Sequence, residues 1–116
     1  MTTTTSTLGK TTIAIDVLLM IAKLTTLSVK GVSRLASIPS DVNRFFKKGV
    51  SEGVKINVEN GVLYADIYVV LENEYNVREV SHQIQTNLAR SITEMVGMDV
   101  GKINIHVEDI DLPLEE

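Results

Sequence analysis

Two alternating runs of apolar and polar residues meet at Asn60-Gly61 and give the clearest local signal in the chain. In VKINVENGVLYADIYVVLE, residues 54–72, apolar side chains recur at every second position on both sides of that dipeptide. This is the period of a strand with one buried face. Asn-Gly marks a two-residue hairpin loop because both central residues of such a turn take positive φ, which few side chains tolerate. The loop predicts Glu59 opposite Val62 and Lys55 opposite Asp66. It turns Val54, Ile56, Val58, Leu63, Ala65, Ile67 and Val69 inward, and Asn57, Tyr64, Asp66, Tyr68 and Glu72 outward.

On either side of the hairpin the period changes to that of a helix. From Thr11 onward, Ile13, Ala14, Val17, Leu18, Ile21 and Ala22 share one helical face, with Thr11 or Thr12 as a capping side chain. Leu19, Met20 and Leu24 widen that face until Asp16 and Lys23 are the only charges, so this helix is covered on two sides or meets a partner. Later, Asn76 followed by Glu79 forms a capping box, Val77, Val80, Ile84, Leu88, Ile92 and Met95 form one stripe, and Gly97 supplies the stop. VGKINIHVED then alternates Ile103, Ile105 and Val107 against Asn104, His106 and Glu108, a further strand before an acidic tail. LSVKGVSRL reads as a short extended piece turning at glycine, and residues 36–53 as a loop or loosely helical connection.

The order α-(β)-β-β-α-β, with alternation on every strand, predicts an α+β two-layer sandwich: a small, mainly antiparallel sheet of three to four strands with two helices packed on one face. Residues 10–111 form a single domain on this reading, 1–9 a disordered Thr-rich arm and 112–116 an acidic tail.

Composition removes several classes of function. At 116 residues the chain has room for one core, and with three Tyr, two Phe and no Trp that core is aliphatic. The absence of cysteine rules out disulfides and thiolate metal sites and suits a cytoplasmic protein. The longest apolar run, Val17 to Ala22, falls short of the roughly 20 residues that span a bilayer, so direct membrane insertion is not expected. The Gly9-Lys10-Thr11 sequence resembles the end of a phosphate-binding loop, but the glycine required five positions earlier is Thr4 and no strand precedes it. Charge is divided unevenly: residues 1–58 carry eight Lys or Arg against three acids, residues 59–116 three against twelve. Either this is ordinary placement of solvated charges, or a basic patch of one copy meets an acidic patch of the next.

No catalytic constellation emerges. His82 sits on a helix flank and His106 on the outward face of a strand, and neither accompanies a nucleophile on a sharp turn. Glu108, Asp109 and Asp111 lack the glycine-centred spacing of a calcium loop and read as solvated; no metal or cofactor is expected. Tyr64 and Tyr68 on an open sheet face resemble a base-stacking platform, yet Asp66 lies between them with Glu59, Glu72 and Glu108 on the same face, which repels phosphate; nucleic acid is not expected. Protein interaction remains, with three candidate surfaces. The first is Val62, Tyr64, Tyr68 and Val70, a face that either a partner covers or Phe45, Phe46 and the 38–53 segment fold across. The second is the Leu19, Met20, Leu24 side of the first helix. The third is a scattered basic patch of Lys30, Arg34, Arg44, Lys47 and Lys48.

Four blocks, TTIAIDVLLMIAKL, VKGVSRL, GVKINVENGVLYADIYVVLE and NVREVSHQIQTNLARSITEMVGMDVGKINIHVEDID, occur in the order and spacing of the bacterial alkaline shock protein family, which the chain resembles over most of residues 9–111. The resemblance implies a non-enzymatic, self-associating cytoplasmic protein, often held at the membrane by a partner protein and tied to envelope-stress homeostasis. One relative is encoded near acetyl-CoA carboxylase subunits, so an alternative implication is a protein regulator of such a metabolic enzyme; the residues themselves, through Tyr64 and Tyr68, leave an RNA-binding module as the less favoured third reading.

Overall fold

The computed structural model describes residues 14–38 and 50–113. Within them two helices pack on one face of a five-stranded sheet, an α+β arrangement in two layers. The elements are α1 (Ile15–Leu27), β1 (Val32–Leu35), β2 (Val50–Ser51), β3 (Val54–Glu59), β4 (Val62–Glu72), α2 (Val77–Val96) and β5 (Asp99–Asp111). The Thr-rich arm, the capping candidates Thr11 and Thr12, Phe45, Phe46, Arg44, Lys47, Lys48 and the last acidic residues lie outside the described residues.

The β3–β4 hairpin has the register expected from the sequence, with Glu59 opposite Val62 and Lys55 opposite Asp66. Asn60 and Gly61 take φ of 53° and 78°, the positive values a two-residue turn of this kind needs. The sheet is larger than the three to four strands expected, because Val50 and Ser51, in a stretch read as loop, pair with Lys55 and Val54. Two residues carry no detectable period, so this strand has no signature in the sequence.

β4 organises the sheet. β5 runs parallel along Val62–Glu72, and α2 supplies the crossover that a parallel pair requires. The opposite edge of β4 is shared end to end by β3, antiparallel along Val62–Ile67, and β1, antiparallel along Val69–Leu71. Tyr68 lies at their junction: its N–H donates to the Gly53 carbonyl at 2.8 Å, and its carbonyl accepts from the Ala36 N–H at 2.7 Å. A side chain at position 53 has no room there, since a Cβ would stand 2.7 Å from Leu35 Cβ and 2.9 Å from the Ala36 carbonyl oxygen. β5 carries an extra residue twice, between Val100 and Ile103 and between Val107 and Asp109. The second bulge inverts the alternation, so that Ile110 joins Ile103, Ile105 and Val107 on the core side.

The main core lies between this face and the helices. Leu18, Leu19, Ala22 and Thr26 enter it from α1, Val80, Ile84, Leu88 and Ile92 from α2, and Val54, Ile56, Leu63, Ala65, Ile67, Val69, Leu71 and Ile103 from the sheet. Each large aliphatic side chain removed from water here contributes about 1.5–3 kcal/mol. Three residues expected inside are exposed because each overhangs an end: Val58 beside the hairpin tip, and Val77 and Met95 in the terminal turns of α2. Val17, expected in the α1 core stripe, faces solvent, because α1 meets α2 and the sheet along Leu18, Ala22 and Thr26. The helix starts at Ile15, after Ala14, with no side-chain cap.

Candidate interaction surfaces

α1 has a second apolar face that the fold leaves uncovered. Val17, Met20, Leu24 and Leu27 are 48, 60, 62 and 44% exposed, and their spacing places them on one stripe of the helix away from the core. Beside the stripe runs a groove of about 440 Å³ lined by Asp16, Leu19, Met20, Lys23, Leu24 and Leu27 from α1 and by Val50 and Ser51 from β2. Of the three residues singled out on this side, Met20 and Leu24 are exposed, whereas Leu19 is buried and belongs to the core. Val17 and Leu27 complete the stripe and were missed. A helical wheel of so apolar a segment does not say which side meets the core, and the heptad spacing of the four residues is the signal that finds them.

The sheet face away from the helices combines a small apolar cluster with a polar network. Tyr68 and Val70 are 5 and 2% exposed and pack with Ala36, Ile38 lying against them, so the chain itself covers part of this face. Neither is accessible to a partner, which removes them from the candidate docking residues. Val62 is half-buried and Tyr64 exposed, near the hairpin end of the strand. The Tyr64 ring lies over Gly101, where a Cβ would come within 2.8 Å of its Cδ1; the bare backbone of the first bulge gives the ring its seat.

Asp66 is the centre of the polar network. It accepts from His106 Nε2 at 2.9 Å and Asn104 Nδ2 at 3.2 Å, and Lys55 Nζ stands 3.8 Å away. The His106 ring stacks on Tyr68 with centroids 4.3 Å apart and an interplanar angle of 11°. Burial, and then the carboxylates of Asp66 and Glu108, push the Tyr68 hydroxyl above its usual ionisation range.

The basic patch is only partly within the described residues. Lys30 is exposed, and Arg34 forms an ion pair with Asp111 at 3.3 Å. Asp111 also accepts from the Ser33 hydroxyl, and these two donors, Ser33 first, hold its carboxyl below the usual range. The acidic end of the chain is therefore not wholly a solvated tail: Asp111 closes β5, and its carboxylate fixes β1. Both this contact and Lys55–Asp66 join the basic half of the sequence to the acidic half within one molecule. Among the described residues, no group of three or more His, Asp or Glu side chains converges to hold a metal ion. None of the described helices is long and apolar enough to cross a membrane. A second groove, between α2 and β5, is half polar, and Gln85 Nε2 donates to the Ile103 carbonyl at 2.8 Å, occupying part of the strand edge there.

The sequence model of the alkaline shock protein 23 family, described by a cell envelope-related function, matches residues 3–112. The uncharacterized protein Spy1535 of Streptococcus pyogenes serotype M6 is 33% identical over 92% of this chain and 83% of its own. The uncharacterized protein YqhY of Bacillus subtilis is 29% identical over 89% and 78%. YloU of the same organism is 24% identical over 88% of each. Among solved structures, the copper form of MamM CTD superposes with a TM-score of 0.58, covering 87% of this chain and 91% of its own at 10% identity, a likeness of fold alone.

Proposed function

The chain belongs to the alkaline shock protein 23 family, with its cell envelope-related function, and from that premise we propose that it is a non-enzymatic scaffold or adaptor. It works in the cytoplasm, self-associating and docking on a membrane protein that holds it near the envelope. The carrying observation is the uncovered stripe Val17, Met20, Leu24 and Leu27: four large apolar side chains in one line, on a helix whose opposite face already completes the core. Isolated exposed apolar residues are ordinary, but a contiguous line of them beside a groove is the mark of a docking surface.

The test is co-purification from gently crosslinked native cells, membranes included, with a tagged wild-type chain and a Leu24→Asp variant. A membrane protein recovered with the wild type and lost with the variant is the expected outcome. Recovery of carboxylase subunits in place of membrane proteins makes the chain a regulator of a metabolic enzyme and sinks the scaffold as its main role.

A further inference from the structure

We propose that the α1 stripe is the seat of a second copy of this chain, bound through an antiparallel α1–α1 contact with Met20 at the two-fold axis; this rests on the self-associating scaffold reading above. The spacing of Val17, Met20, Leu24 and Leu27 is that of successive a and d positions of a heptad, the pattern by which helices pair side by side. Asp16 and Lys23 stand seven residues apart, so both take the g position and flank the stripe on the side of the groove they help to line.

Charge selects both the occupant and the register. In a two-fold antiparallel pair the same flank of each helix faces the other, so g positions meet g positions. With Met20 against Met20 of the second copy, Val17 comes within one residue's rise of its Leu24 and Asp16 within one residue's rise of its Lys23, each of these contacts occurring twice, while Leu27 passes beyond the start of its α1. The competing stagger, Val17 against Leu27, pairs all four apolar residues of the stripe but brings the two Lys23 ammonium groups together near the axis. A partner with a uniformly charged flank meets one attraction and one repulsion, whereas the chain's own α1 run backwards satisfies both charges. α1 is only about 20 Å long at 1.5 Å per residue. Two such helices bury less than the roughly 1,600 Å² of a standard interface, so the pairing is weak and depends on protein concentration.

The absence of cysteine makes the test direct, since one introduced thiol is the only one in the molecule. A disulfide forms only when the two Cα atoms come within roughly 4.4–6.8 Å. Under mild oxidation Met20→Cys is expected to link into dimers, while Lys23→Cys and Leu27→Cys remain single chains. Asp16→Lys and Lys23→Asp are each expected to raise the concentration at which dimers form about tenfold, and the double exchange to restore it. Linking through Lys23→Cys in place of Met20→Cys overturns the proposed register. If sedimentation shows wild-type self-association but none of the three thiols links and the charge variants change nothing, this interface is wrong while the scaffold reading stands. If the wild type sediments as a monomer up to millimolar concentration, the self-associating reading fails with it.

Discussion

The two helices lie on the same sheet face yet differ in how completely the fold uses them. α2 is finished within the single chain: Asn76 caps it by accepting from the Glu79 N–H, Gly97 ends it in the left-handed region, and Val80, Ile84, Leu88 and Ile92 bury one stripe. α1 has no side-chain cap, and it buries Leu18, Leu19, Ala22 and Thr26 while leaving a second apolar stripe in water. Capping and amphipathicity fit α2 to solvent on its outer side. α1 lacks both adaptations, and a helix with two apolar faces reaches its full burial only when something else arrives.

Substitutions at matched leucines test this contrast most strongly. Leu88→Ala, at a fully buried position of α2, is expected to lower unfolding free energy by about 2–5 kcal/mol, whereas Leu24→Ala on α1 changes it by less than about 0.5 kcal/mol. Urea denaturation at low protein concentration measures both, and equal losses would mean that Leu24 is covered within one chain. Asn76→Ala is expected to cost about 1 kcal/mol by removing the acceptor for Glu79 N–H, while Ala14→Ser at the corresponding place on α1 adds stability. Thr26 of α1 is fully buried and its hydroxyl has no hydrogen-bond partner among the described residues, so Thr26→Val is expected to stabilise by up to about 1 kcal/mol. Thermal melts would expose a loss instead if that hydroxyl is satisfied.

The smallest effect concerns the strands that follow the two helices, which Asp111 ties together. Because its carboxyl titrates below the usual range when folded, its contribution is present above the unfolded value and fades as pH falls through the folded one. An NMR titration of the Asp111 carboxyl should show the midpoint rise in both Ser33→Ala and Arg34→Ala. An unmoved midpoint in both would remove these donors as the cause.

What the sequence displays follows the same division. The hairpin register, the α2 caps and the four buried residues of α2 are local facts, written in turn chemistry and one clear period. β5 shows its alternation in Ile103, Ile105 and Val107, but alternation is blind to whether a neighbour runs parallel, and the bulge at Glu108 shifts the last residues by one. Tyr68 reads as outward, and it does leave the main core, yet Ala36 and Ile38 cross that face and bury it. On α1, Leu19 and Met20 are equivalent as apolar residues. Only the position of α2 and the sheet decides that one is core and the other surface.

Tyr68 also governs how freely this architecture can vary. The peptide groups of Ala36, just after β1, and Gly53, just after β2, both bond to the one residue between β3 and β1. The chain between them is therefore anchored at both ends on a single residue. Closure entropy grows only with the logarithm of length, so doubling the excursion costs about 0.6 kcal/mol. Insertions between Ile38, which packs on Tyr68, and Val50, which opens β2, are therefore cheap for the fold, and a new sequence, natural or grafted, can be placed there without disturbing the register at Tyr68.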